Sequence, residues 1–376
     1  MKKKSKGFEL SGISSAMASI GAIIFGLLCG WIILLISNPP QAAAGFWTIL
    51  TGGFTGGLQG TGNVLYTATP LILTGLSVGF AFKTGLFNIG ASGQLIVGAF
   101  VGVYVGYVFE SLGAMHWVVA LLASILAGAI WATIPGILKA YFNVHEVISC
   151  IMMNYTGMYL VNMLIVGSPV YDKLKNQTAP IKSSAVLPKL GLDKLFPGSS
   201  LNSGFIIAIL VVIIIYIILN KTVFGYELIA CGHNPDASKF AGINAKRNIV
   251  LAMVIAGALA GMSGGLIYLA GAGKYIRVVD VLASEGFMGI PVALLGLSNP
   301  IGVLFAAIFI GYITMGGFYM QLYDFVPEII DIIISIIIYF SAFALIFKNV
   351  IETILKGGKK KRVIEAEATE GGETNE

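Results

Sequence analysis

Two sets of residues in this chain of 376 have the types and spacing to do more than pack. The first lies in the polar run Gly225 to Arg247, GYELIACGHNPDASKFAGINAKR. Asn234 is a natural N-cap, Pro235 suits the first helical position, Asp236 suits the positive end of a helix dipole, and Gly242 ends the helix about two turns later. Ala237, Phe240 and Ala241 then share one face at i, i+3 and i+4, with Lys239 elsewhere. A short capped helix with an apolar face either docks into a groove on another protein or lies on a membrane as a connector, and periodicity leaves both readings open. The second set is Asn88, Gln94, Glu146 and Asn154, polar groups in otherwise apolar stretches. A buried polar group must find a partner, so these four serve either hydrogen bonds between helices or a path for a hydrophilic solute. Phe82, Phe87 and Phe287 have faces for stacking on a planar ring, and equally for ordinary helix packing.

Other chemistry has no footing. There is no GxxxxGK[ST] motif, so the chain carries no nucleotide-hydrolysing signature of its own. Cys29, Cys150 and Cys231 are far apart without CxxC spacing, and His116, His145 and His233 stand singly. Free thiols, structural histidines, no metal and no catalytic residues are the expectation. A secondary transporter driven by protons or sodium places ionisable residues mid-membrane. Here the acidic residues, including Glu110, Asp324, Glu328 and Asp331, fall at span ends or in loops.

The elements that position these residues follow from composition. The chain is 57% hydrophobic and 11% charged, with a mean hydropathy of +0.89, outside the range of a soluble globular domain. Apolar runs without strict alternation predict an all-α, polytopic membrane helical bundle. At roughly 20 residues per crossing there are about ten transmembrane helices, at 14–36, 63–82, 94–110, 117–138, 148–167, 204–220, 248–271, 284–298, 300–317 and 329–347, the 284–298 stretch being short enough to be re-entrant. Lys2, Lys3, Lys4 and Lys6 before the first span, and Lys356 and Lys359 to Arg362 after the last, put both termini in the cytoplasm. An uncleaved first helix is expected rather than a cleaved signal peptide. The domain map is then a basic N-terminus at 1–13, a permease domain at 14–347 and a cytoplasmic disordered tail at 348–376. Within the domain, 168–203 is an external loop and 221–247 a cytoplasmic loop. The external loop carries Lys173, Lys175, Lys182, Lys189 and Lys194 against the charge rule. Cutting ten spans after the fifth gives a possible 5+5 inverted repeat, each half with a glycine-rich break, Gly85 to Gly98 and Gly286 to Gly302.

Four segments carry a family resemblance. Ala230, Gly232, Asn234, Pro235, Ala237, Ala241, Gly242 and Ile243 fit the cytoplasmic coupling loop of ATP-binding-cassette (ABC) importer permeases of the branched-chain amino acid, simple sugar and nucleoside class, continued by AGALAGMSGG from Ala256 to Gly265. GLFNIGASGQ (85–94) is similar to a second family segment, with Ser92 where Glu is usual; VHEVISCIMMNY (144–155) resembles a third, with His145 in place of Asn. A fourth, GFMGIPVALLGLSNPIGVLFAA, starts at Gly286. Together they run in family order from about residue 62 to 317, and look most like nucleoside permeases that work with a basic-membrane-protein type of lipoprotein receptor. The resemblance implies a plasma-membrane permease subunit, not an enzyme. It implies ABC ATP-binding subunits that use ATP and Mg, a second permease subunit in a heterodimer, and an extracellular solute-binding lipoprotein; the chain itself binds no cofactor. Nucleosides are the expected solute, with simple sugars or branched-chain amino acids as the alternative. Gly232, Asn234, Pro235, Asp236, Ala237, Phe240 and Gly242 are the expected ATPase-coupling residues; Asn88, Gln94, Glu146, Asn154 and Phe287 are the expected solute pathway.

Overall fold

The structure, a computed structural model, describes residues 21, 23–271 and 273–342. The expected basic N-terminus at 1–13, the expected tail at 348–376 and the outer parts of the expected spans 14–36 and 329–347 lie outside those residues. The chain divides into two compact units, one built from residues 1–46 with 323–376 and the other from 47–322.

In the first unit, α1 (Ile23–Ser37) and α15 (Pro327–Ala342) approach closely because Gly26 and Gly30 sit against Ile337 and Ile333. An edge-on ring pair, Phe25 with Phe340, adds to the contact, and Trp31 of α1 meets Phe46 edge-on.

The second unit carries the residues of interest. Its elements are α3 (Leu58–Lys83), α4 (Ala91–Val108), α5 (His116–Phe142), α6 (Glu146–Val166), α7 (Leu192–Leu195), α8 (Ser203–Lys221), α9 (Val223–His233), α10 (Pro235–Phe240), α11 (Ala245–Tyr268), α12 (Ser284–Phe287), α13 (Gly289–Leu295) and α14 (Pro300–Met320). The protein is a polytopic helical bundle, and seven helices among the described residues have the length and apolarity to cross a membrane. They coincide with seven of the ten expected spans. The 284–298 stretch is instead broken into α12 and α13, together about 18 Å at 1.5 Å per residue, against a hydrocarbon core of about 30 Å. A further short apolar helix, α2 (Ala42–Thr51), was not among the expected spans; Pro39 and Pro40 before it and Gly52 and Gly53 after it confine it to ten residues.

α11 sits centrally, packed on α5, α4 and α3. Its AGALAGMSGG segment is the reason: Gly257 and Gly261 lie against Gly128 of α5, and Gly264 against the backbone of Leu95 and Ala99 of α4. Small residues at such crossings let backbones touch where lipid offers no hydrophobic drive for helix association.

The 168–203 segment is folded. β1 (Tyr171–Asp172) and β2 (Gln177–Thr178) pair antiparallel, Gln177 bridges Arg277, and the Thr178 N–H donates to the Ile276 carbonyl at 2.9 Å. His116 is buried beneath it, bonded to Ser184 Oγ at 2.8 Å and the Val105 carbonyl at 2.9 Å, which is the structural role expected of that residue. This cap lies at one end of α8, and α9 and α10 follow the other end.

Candidate coupling surface and solute pathway

α10 forms as its residues dictate. Asn234 Oδ1 accepts the N–H groups of Asp236 at 3.1 Å and Ala237 at 2.9 Å, and Pro235 occupies the first turn. At the other end Gly242 adopts φ +81°, with Gly242 N–H donating to the Lys239 carbonyl and Ile243 N–H to the Ser238 carbonyl, each at 3.0 Å. That pairing is a Schellman stop, which an L side chain at the left-handed position would strain. Ser238 is buried, its hydroxyl donating to the Asn234 carbonyl at 2.9 Å. Ala237, Phe240 and Ala241 are exposed, Phe240 at 95%. The Phe240 ring is held out by a helix stopped at both ends, and little of its own unit covers it. Lys239 pairs with Asp236 within the helix at 3.4 Å.

Gly232, at the end of α9, has a different neighbour. A Cβ placed on Gly232 would lie 2.5 Å from the Thr84 carbonyl carbon, and one on Gly85 would lie 2.5 Å from the Gly232 Cα. Two backbones are therefore in direct contact, one from the coupling loop and one from the GLFNIG segment. Gly85 has φ +74°, so both space and conformation call for glycine there. These two glycines belong to separate sequence motifs, and no local signal joins them.

The GLFNIG segment connects α3 to α4 without helical backbone, and its polar side chains close it. Asn88 and Gln94 exchange reciprocal amide bonds at 2.9 and 3.0 Å. Asn88 also donates to Ser77 Oγ at 3.2 Å and accepts the Gly90 N–H at 3.1 Å, while Ser77 donates to the Ala256 carbonyl of α11 at 2.6 Å. Asn154 of α6 donates to the Ile89 carbonyl at 3.0 Å and accepts the Gly93 N–H at 2.8 Å. All three amides are buried. The structure thus brings Asn88, Gln94 and Asn154 together in one network. Glu146 lies apart at the start of α6, buried and 2.8 Å from Lys139 Nζ, the ion pair its position suggests. Phe82 and Phe87 stack on each other, with centroids 4.9 Å apart.

Phe287, half-buried, ends α12 in the second break. Here the backbone is held by close approach. A Cβ on Gly286 would lie 2.3 Å from the Ser92 Cα, and one on Gly289 would lie 2.6 Å from the Thr74 carbonyl carbon. Ser92, where the resembling family carries Glu, donates to the Ala283 carbonyl at 2.8 Å. Leu297 and Ser298 have positive φ, and Asn299 caps α14 through the N–H groups of Ile301 at 3.0 Å and Gly302 at 3.4 Å.

Among known proteins, the family described as the branched-chain amino acid transport system / permease component matches residues 60–342. The guanosine ABC transporter permease protein NupP of Bacillus subtilis is 40% identical over 92% of this chain and 98% of its own length. The nucleoside ABC transporter permease protein NupB of Lactococcus lactis subsp. cremoris is 37% identical over 93% of this chain and 96% of its own. The glucose ABC transporter permease protein TsgB13 of Haloferax volcanii is 33% identical over 87% of each. No solved structure matches the chain.

Proposed function

The chain belongs to the branched-chain amino acid transport system / permease component family, and from that premise we propose that it is the membrane-spanning subunit of an ABC importer that carries nucleosides. The motor is separate. ATP-binding subunits hydrolyse ATP with Mg, this chain pairs with a second, different permease, and a solute-binding lipoprotein delivers the solute from outside. Both termini face the cytoplasm. α10 docks into the ATP-binding subunit, with Phe240 as its anchor and Gly232, Asn234, Pro235, Asp236, Ala237 and Gly242 shaping the loop that presents it. The exposed α10, capped at both ends, carries this reading, because a connector lying on lipid has no need of an Asn234 side-chain cap and a Schellman stop to aim one ring. Nucleosides are preferred over glucose because the two relatives named for nucleosides or guanosine are the more similar.

The solute path runs past the breaks at 84–94 and 284–299, with Phe287 as the ring-stacking candidate. Asn88, Gln94 and Asn154 shape its wall, and Glu146 anchors the inner end of α6 through Lys139.

The test is uptake of radiolabelled guanosine, glucose and leucine by cells producing the complex. Guanosine uptake abolished by ATP depletion and insensitive to a protonophore is expected. Uptake collapsed by the protonophore with ATP intact overturns the ATP-driven reading, and uptake of glucose or leucine alone overturns the solute assignment. Phe240→Asp, inserted normally, is expected to lose both co-purification with the ATP-binding subunit and uptake.

A further inference from the structure

We propose that the contact between Gly85 and Gly232 is a mechanical relay that carries displacement of the coupling loop into the membrane, ending at the broken pair α12 and α13. The proposal rests on the reading of α10 as the docking helix and says how force leaves it.

Each step is a contact between backbones or a closed hydrogen-bond pair. Gly232, two residues before the Asn234 cap, meets Thr84 and Gly85 with no side chain between them. A side chain at such a junction absorbs a small shift by changing rotamer; two bare backbones cannot. The loop that receives the push is stiff. Thr84 Oγ1 donates to the Ala81 carbonyl at 2.9 Å, Leu86 N–H donates to the Ala81 carbonyl at 2.9 Å, and the Asn88–Gln94 pair ties the loop to the first turn of α4. From that turn Ser92 reaches α12 twice, through its hydroxyl to the Ala283 carbonyl and through its backbone against Gly286.

What receives the displacement is a pair of short helices. Neither α12 nor α13 has a side-chain N-cap, four residues make α12 and seven make α13, and the chain turns between them at Met288. Closely packed elements pass a shift along until they reach one that has an alternative arrangement. Position alone does not establish coupling, so the test must read coupling directly.

The chain is reconstituted with its ATP-binding and permease partners in proteoliposomes, carrying Cys29→Ser and Met288→Cys. Maleimide labelling at position 288 is timed with and without Mg-ATP and vanadate, alongside ATP hydrolysis and guanosine uptake. The otherwise unsubstituted complex is expected to label at different rates in the two conditions. Gly85→Ala, whose added methyl would meet the Gly232 backbone, is expected to keep hydrolysis while the nucleotide-dependent change in labelling shrinks by a factor of about two to thirty, the range for residues that modulate coupling. Uptake falls with it. Ser92→Ala removes only a hydroxyl at the far end of the relay, and is expected to weaken the same response with hydrolysis intact; it decides the matter if Gly85→Ala does not reach the membrane. A full nucleotide response in Ser92→Ala and in any membrane-inserted Gly85→Ala overturns the relay and leaves the docking reading standing. If the otherwise unsubstituted complex hydrolyses ATP and takes up guanosine yet shows no response at position 288, the relay is overturned, while the docking reading stands or falls on co-purification of Phe240→Asp.

Discussion

The two interruptions of helical backbone in the larger unit solve one problem in different ways. At 84–90 the chain leaves the helix and freed backbone groups are taken up by side chains, with Asn88 and Gln94 satisfying each other and Asn154 bonding the backbone at Ile89 and Gly93. At 284–299 there is little such closure within α12 and α13; Gly286 and Gly289 rest on the backbones of Ser92 and Thr74, and side-chain bonds come from Ser92, Asn299 and the neighbours Ser284 and Glu285. Non-helical backbone at membrane depth is tolerated where protein covers it, and either device provides the cover. They differ in what they permit. A network of mutually satisfied amides has one good arrangement, because any opening leaves a buried donor or acceptor unpaired. A van der Waals contact of a glycine with the backbone of Ser92 or Thr74 leaves no polar group unpaired when it shifts. The first break is therefore built to hold and the second to yield.

That contrast can be broken by experiment, the most severe change first. Gly286→Val puts branched carbons where the Ser92 backbone already sits, an overpacking cost of about 3 kcal/mol or more, and folded chain recovered from membranes should fall sharply. A normal yield and melting temperature in detergent would mean the second break has slack. Asn88→Leu leaves the Gln94 amide and the Gly90 N–H without their partners, at about 2 to 3 kcal/mol, seen as a lower Tm in detergent. The comparison sharpens with the cycle of Asn88→Ala, Gln94→Ala and the double variant: the second substitution should add less than the first, with a coupling of about 1 kcal/mol. Strict additivity would dissolve the clasp. Asn299→Ala removes the cap of α14 for about 1 kcal/mol, a small drop in Tm. Least of all, Phe240→Ala should leave Tm unchanged within about 0.5 kcal/mol, because its ring touches almost nothing in the chain, while uptake is lost.

Local rules carried much of the reading. The cap at Asn234, the proline at 235 and the stop at Gly242 were all legible, because a short helix is specified by its own ends. So were seven crossings, since about twenty apolar residues in a row have no other use. Less was legible where two signals compete. The 284–298 stretch is apolar enough to count as a span, yet glycines at 286, 289 and 296 and the positive φ of Leu297 and Ser298 break it. α9 went unseen because VFGYELIACGH has no strong periodicity, and the Thr222 cap that starts it is one hydrogen bond of 3.0 Å to the Gly225 N–H. The lysine-bearing 168–203 segment read as a loop because its two strands have two residues each, too short for any pattern to register.

By itself the amino-acid sequence determined the solvent this protein lives in, the place of seven long helices among the described residues, and the ends of the short helix α10, because each depends on residues within a few turns of one another. Tertiary structure alone decided that Gly85 touches Gly232, that Asn88, Gln94 and Asn154 form one network, and that Gly286 sits on Ser92. Those meetings join segments up to 194 positions apart. A glycine is silent about its partner until a second backbone arrives in the space its missing side chain leaves free.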